Sequence, residues 1–231
     1  MICQNALADF LNICSSYLLC EEENIEDISQ QFLSIDNNQE KLKIFLEQLD
    51  EIKNILKEDL LFFMDSDPAV ESAEEIKIAY PGYKAIVIYR LSHILYGLGY
   101  KVEARIISEL GHSKTGIDIH PAAEIGYPFF IDHGTGIVIG ETASVGKKVK
   151  LYQGVTLGAL SINNASSLRG IKRHPSIGNN ITIYANASIL GPIQVGDNVV
   201  IGGNVFLTED VPSNTQVSIG KPVLVYKSKQ K

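Results

Sequence analysis

Residues Phe130 to Glu141 read FIDHGTGIVIGE, an Asp-His pair set among glycines and followed at once by an alternating apolar run. A neutral imidazole can take a proton from a poor nucleophile such as a hydroxyl when its second nitrogen is held as a donor. A nearby carboxylate supplies that hold and stabilises the imidazolium that forms. His133 is the candidate base, with Asp132 beside it and Asp118 fifteen residues upstream. A covalent cysteine route fits poorly, because Cys3, Cys14 and Cys20 all lie in the first 20 residues of 231. Their odd number and lack of framework spacing suit a reducing cytoplasm rather than a disulfide scaffold. A second polar group, Lys172, Arg173 and His174, closes the stretch GALSINNASSLRGIKRHPS at residues 158–176.

The elements that must position these groups follow two different periods. From Ile177 the chain reads IGNNIT, IYANAS, ILGPIQ, VGDNVV, IGGNVF, LTEDVP, with an aliphatic residue opening each hexad. This internal repeat predicts one short strand per hexad, three flat faces per coil and about 18 residues per rung of a triangular prism. The phase extends back through Leu157, Leu151, Val145 and Ile139, then slips by two residues before Ile131, Ile125 and Ile119. The slip falls on FIDHGTGIVIGE, which marks a place where regular packing yields to another demand. Residues 158–176 cannot keep the phase and are expected to leave the prism as a loop, where binding residues tend to sit.

Ahead of Gly116 the spacing is helical. Leu42, Phe45, Leu46, Leu49, Ile52 and Leu56 recur at three and four residues behind the cap candidates Asn37, Asn38 and Gln39. YKAIVIYRLSHILYGLGY reads as a further, strongly buried helix. The expected division is a helical region over 1–112 and a solenoid over 113–231. The net charge of −7 and pI near 5.3 argue against a nucleic-acid surface. The clusters Lys147, Lys148, Lys150 and Arg169, Lys172, Arg173 are the only compact basic groups. The apolar N-terminus has no basic leader and is broken by Asp9, so neither a signal peptide nor a membrane span is expected.

The hexads, together with IDIHPAAEIG, DHGTGIVIGETA, LYQGVTLGA and KRHP, resemble the serine O-acetyltransferases of the hexapeptide-repeat acyltransferases. The likeness extends from DPAV at Asp67 to Val70 through Leu207. It implies an α+β chain, helical first and then a left-handed parallel β-helix, that assembles as a homotrimer, with a dimer of trimers in many bacterial relatives. The implied reaction moves acetyl from acetyl-CoA to the L-serine hydroxyl in a direct ternary complex, the step that commits serine to cysteine synthesis, with no metal.

The resemblance also assigns roles. His133 is the base and Asp118 its orienting carboxylate. Asp67 and Asp132 meet the substrate ammonium, Arg173 and His174 its carboxylate, the latter pair reaching across to a neighbouring subunit's His133. Gly158, Ala159 and Ala185 line the acetyl-CoA groove, and Lys221 meets its phosphates. Asp67 read alone also suits a helix N-cap before Pro68, Arg173 and His174 a solvated loop tip, and His120 a structural position. Glu141 suits either an orienting or a corner-capping role. Relatives with a long tail ending in isoleucine dock it into O-acetylserine sulfhydrylase; this chain stops in YKSKQK, so that complex is not expected. The rival readings are a sugar acetyltransferase, a zinc carbonic anhydrase using His120, His133 and His174, and a non-catalytic scaffold.

Overall fold

The computed structural model describes residues 4–20, 25–160 and 170–220. Six helices come first: α1 (Gln4–Cys20), α2 (Ile25–Ile35), α3 (Gln39–Ser66), α4 (Ala73–Ala79), α5 (Pro81–Gly97) and α6 (Lys101–Thr115). α3 starts at Asn38, whose side chain accepts the Lys41 N–H at 3.0 Å, and it buries the stripe Leu42, Phe45, Leu49, Ile52, Leu56 and Phe63. α5 carries apolar residues on every side because it is enclosed by α3, α6 and the first coil of the solenoid. α6 runs to Thr115, three residues past the expected boundary at 112, and stops where Gly116 takes a left-handed φ of 72°.

The chain then winds into three parallel sheets. The first face holds β1 (Asp118–Ile119), β4 (Val138–Ile139), β7 (Thr156–Gly158), β10 (Ser188–Leu190) and β13 (Phe206–Leu207). The second holds β2 (Glu124–Ile125), β5 (Ser144–Val145), β8 (Ser176–Ile177) and β11 (Gln194–Val195). The third holds β3 (Phe129–Ile131), β6 (Val149–Leu151), β9 (Thr182–Ile183), β12 (Val200–Ile201) and β14 (Gln216–Val217). Inward Ile119, Ile139, Leu157, Ile189 and Leu207 stack in register down the first face, all buried. The hexad prediction is met; of the expected loop, Gly158 and Ser176 belong to β7 and β8, and residues 161–169 lie outside the described residues.

The two-residue slip resolves to specific atoms. Phe129 to Ile131 pair with Val149 to Leu151, an offset of 20, whereas Val138 and Ile139 pair with Thr156 and Leu157, an offset of 18. Asp132 N–H still reaches Leu151 O on the longer offset, and Gly154 N–H already reaches Thr135 O on the shorter one. The extra pair is therefore His133-Gly134, with left-handed φ of 57° and 81°. Gly134 has no room for a side chain, since a Cβ there would collide with Ile117 Cδ1.

The helices are seated on the first coil by a buried ion pair. Arg90 Nε and Nη2 donate to Asp59 Oδ2 and Oδ1 at 2.9 and 3.1 Å, and Phe129 N–H donates to Asp59 Oδ1 at 2.8 Å. Arg90 reaches on to Ile125 O and Gly126 O, at 3.5 and 3.4 Å. Tyr89 OH donates to Ala123 O at 2.6 Å, and Ser108 Oγ to Ile119 O at 2.7 Å. Asp59 is fully buried, so removing Arg90 leaves a carboxylate without its counter-charge. Arg90→Leu is expected to cost about 3–5 kcal/mol, read as a lowered midpoint in chemical denaturation.

Candidate active site

The left-handed corner between the third and first faces presents His133, whose side chain is 68% exposed, beside the half-buried Asp132. His133 Nδ1 lies 3.4 Å from Asp132 Oδ1. Asp67 comes to the same region from the other half of the chain. It does not cap a helix N-terminus: it is the C-cap of α3, with φ −113° and its N–H on Phe63 O. Its Oδ1 accepts Ala69 N–H and its Oδ2 accepts Tyr80 OH, each at 2.8 Å. Burial, the Asp67 hydrogen bond and charge, then Glu75 and Asp132, push the Tyr80 hydroxyl up to about 12. Tyr152, next along the same corner column, is pushed up by burial and by Asp132, Tyr184 and Asp67. Two carboxylates and two tyrosines thus share one electrostatic neighbourhood, suited to a cation.

Asp118 is half-buried one coil below, but its carboxylate makes no hydrogen bond to His133; it lies within 4.8 Å of Glu109 and His112 on α6. The longer first coil places Asp118 in register with Val138 rather than with the inserted His133. His120 is held within the coil: its Nδ1 accepts Ala122 N–H at 3.1 Å, its ring meets Tyr96 edge-on, and burial lowers its pKa. His120, His133 and His174 do not converge. Among the described residues, the group whose donor atoms could share an ion is Glu109, His112 and Asp118.

The corner between the first and second faces carries the opposite sign. Glu141 is ion-paired with Arg173 Nη2, and that guanidinium holds the Glu141 carboxyl below the ordinary range. Thr142 Oγ accepts both Arg173 N–H and His174 N–H, at 3.0 and 3.1 Å, while Lys172 Nζ donates to Thr142 O at 2.6 Å. His174 Nδ1 accepts Thr142 N–H at 3.1 Å, which leaves the ring proton on Nε2. The ring packs where a Cβ on Gly140 would stand. This is a stapled segment, not a solvated tip: His174 is 7% exposed, and burial, helped by Arg173, lowers its pKa to about 4.

One chain therefore holds the acidic group, Asp67, Asp132 and His133, at one edge of the first face and the basic group, Arg173 and His174, at the other. Gly158 ends β7 at the basic edge with Ala159 just after it, and Ala185 follows Tyr184 on the acidic side. Tyr184 stacks on Tyr152 at 5.2 Å, extending that corner as an aromatic wall. Lys221 lies outside the described residues. Cys14 is buried, which pushes its thiol up and away from nucleophilic use. No helix among the described residues is long and apolar enough to cross a membrane.

Residues 174–209 match the bacterial transferase hexapeptide (six repeats) family. A serine acetyltransferase from a Synechococcus elongatus plasmid is 49% identical over 182 residues, 78% of this chain; the chain spans 57% of that relative's length. A serine acetyltransferase isoform 3 from Entamoeba histolytica, solved with cysteine, superposes with a TM-score of 0.82 at 35% identity, over 95% of this chain and 84% of that one. The chain belongs to the serine acetyltransferase family. Another serine acetyltransferase structure, from Brucella abortus, holds coenzyme A. That match has a TM-score of 0.70 at 36% identity, over 79% of this chain and 70% of the other.

Sequence reasoning missed Tyr80, Thr142 and Tyr152. Thr142 acts on residues 31 and 32 positions away, and Tyr80 on one 13 positions away, so no local spacing announces them. The buried His174 carries a measurable consequence. An unfolded histidine protonates near about 6.5, whereas folded His174 stays neutral down to about 4. Between those values the folded state binds fewer protons, so stability falls as pH is lowered through that window. His174→Gln removes this component, and the slope of Tm against pH should flatten across it.

Proposed function

We propose that this chain transfers the acetyl group of acetyl-CoA to the hydroxyl of L-serine, in sites completed by a second copy of the chain. The observation that carries this reading is the division of charge between two edges of one face. Serine bears an ammonium and a carboxylate, so it needs both groups at once, and edge-to-edge packing of copies joins the acidic corner of one to the basic corner of the next. Val138 and Phe206, outward on the face between those edges and 37% and 70% exposed, favour such packing into a homotrimer. Glu141 then serves to aim Arg173 rather than to cap a corner.

In this reading Asp67 and Asp132 hold the ammonium, and Arg173 with His174 Nε2–H holds the carboxylate. His133 takes the hydroxyl proton as the serine oxygen attacks the thioester carbonyl. The C–O bond forms, the C–S bond breaks, and the imidazolium returns its proton to the departing coenzyme A thiolate. Asp132 is in place beside Nδ1, and Asp118 becomes the orienting partner once its carboxylate turns from Glu109 and His112. Acetyl-CoA lies along the groove between copies past Gly158, Ala159 and Ala185, with Lys221 toward its phosphates.

Thiol release from acetyl-CoA is the direct assay, with L-serine, D-serine, homoserine, L-threonine and a galactoside as acceptors. Activity should be confined mainly to L-serine and drop on the order of 10²-fold or more in His133→Ala. Galactoside activity without serine activity would overturn the acceptor. Mixing subunits tests where the sites lie. His133→Ala and Arg173→Ala, each inactive alone, should recover roughly a quarter of full activity when co-assembled at random, because one arrangement in four pairs an intact His133 with an intact Arg173.

A further inference from the structure

Asp67 stands at an electrostatically unfavourable place. As the C-cap of a 28-residue helix it faces the negative end of the macrodipole, where a cation is the favoured residue. Two donors offset this, one on each oxygen: Ala69 N–H on Oδ1 and Tyr80 OH on Oδ2. The first is local, two residues along the chain. The second comes from the junction of α4 and α5, where Tyr80 precedes Pro81.

Tyr80 is held there independently of its hydroxyl. Its N–H bonds to Ile76 O at 3.2 Å, and its ring meets Phe63 edge-on with centroids 6.4 Å apart. The hydroxyl donates to Asp67 Oδ2, and it remains a protonated donor at any pH near neutrality. With a donor on each oxygen the carboxylate cannot rotate freely about its terminal torsion, yet each oxygen keeps a lone pair for a further donor.

We infer that Tyr80 is a positioning residue for acceptor recognition: its hydroxyl fixes the Asp67 carboxylate in the orientation that receives the substrate ammonium. The inference rests on the proposed serine site. It adds that affinity for the amino group is set from outside the solenoid, by a tyrosine at a helix junction.

The test compares L-serine with 3-hydroxypropionate, which has the same hydroxyl and carboxylate but no ammonium, followed as an acceptor or as a competitor of serine. Tyr80→Phe keeps the ring and removes one hydrogen bond to a charged group. It should lower kcat/KM for L-serine on the order of 10-fold, through KM more than kcat, and leave 3-hydroxypropionate unaffected. In an Asp67→Asn background the same change should have no further effect. Equal losses for both acceptors would mean that Tyr80 only supports the fold, and unchanged serine kinetics would mean that its hydrogen bond is idle. Either overturns the inference while leaving the serine reading intact. Failure of the parent protein to use serine at all would overturn that reading, and the inference with it.

Discussion

The site depends on a salt bridge that takes no part in it. Asp59 and Arg90 join α3 to α5, and through Phe129 N–H, Ile125 O and Gly126 O they clamp both helices to the first coil. Burial pushes the Asp59 carboxyl up, while the Arg90 guanidinium and the Phe129 amide work against that rise. Such a pair gives little net stability over a well-packed apolar substitute, because desolvation consumes most of the attraction. What it supplies is geometry, since a fully hydrogen-bonded buried pair tolerates one arrangement. Asp67 caps the helix that carries Asp59, eight residues on, so fixing Asp59 against β3 brings Asp67 toward Asp132, the residue that follows β3.

The solenoid contributes stiffness of a different kind. Each coil stacks on its neighbours through parallel ladders and aligned aliphatic side chains, so a corner residue is placed by the coils on either side. His133 occupies a two-residue insertion in that stack with a left-handed backbone, a conformation uncommon for a residue other than glycine. The insertion carries the ring out of the packed register to 68% exposure, where it can meet a substrate. The basic corner is fixed by other means: Thr142 binds the backbone of Arg173 and His174, and Glu141 aims the guanidinium.

Much of this was legible before any coordinates. The hexad pattern names the coils, the slip locates the corner that holds His133, and the order of DPAV, DIHPAA, DHGTG and RHP carries the family resemblance. Alternatives that spacing along the chain left open were decided by distant partners. Asp67 before Pro68 resembles a helix start, yet the preceding helix persists to Ser66 and makes it a C-cap. His174 in a polar loop resembles an exposed residue, yet Thr142 and the bare Cα of Gly140 accept it into the coil.

The sequence by itself determined the periodicities, and with them a helical region, a three-faced parallel solenoid and the break at His133, because side-chain period follows directly from residue order. Tertiary structure alone decided which charges share a corner. Asp67 joins Asp132, and Arg173 joins Glu141, across 65 and 32 residues of chain, by way of a buried ion pair and a stapled loop. Tertiary structure also decided that the acidic and basic groups stand at opposite edges of one face, since an edge is defined only once the coils have closed. The physical reason is common to both: electrostatic and hydrogen-bond partners act over ångströms in space, a scale that spacing along the chain does not encode.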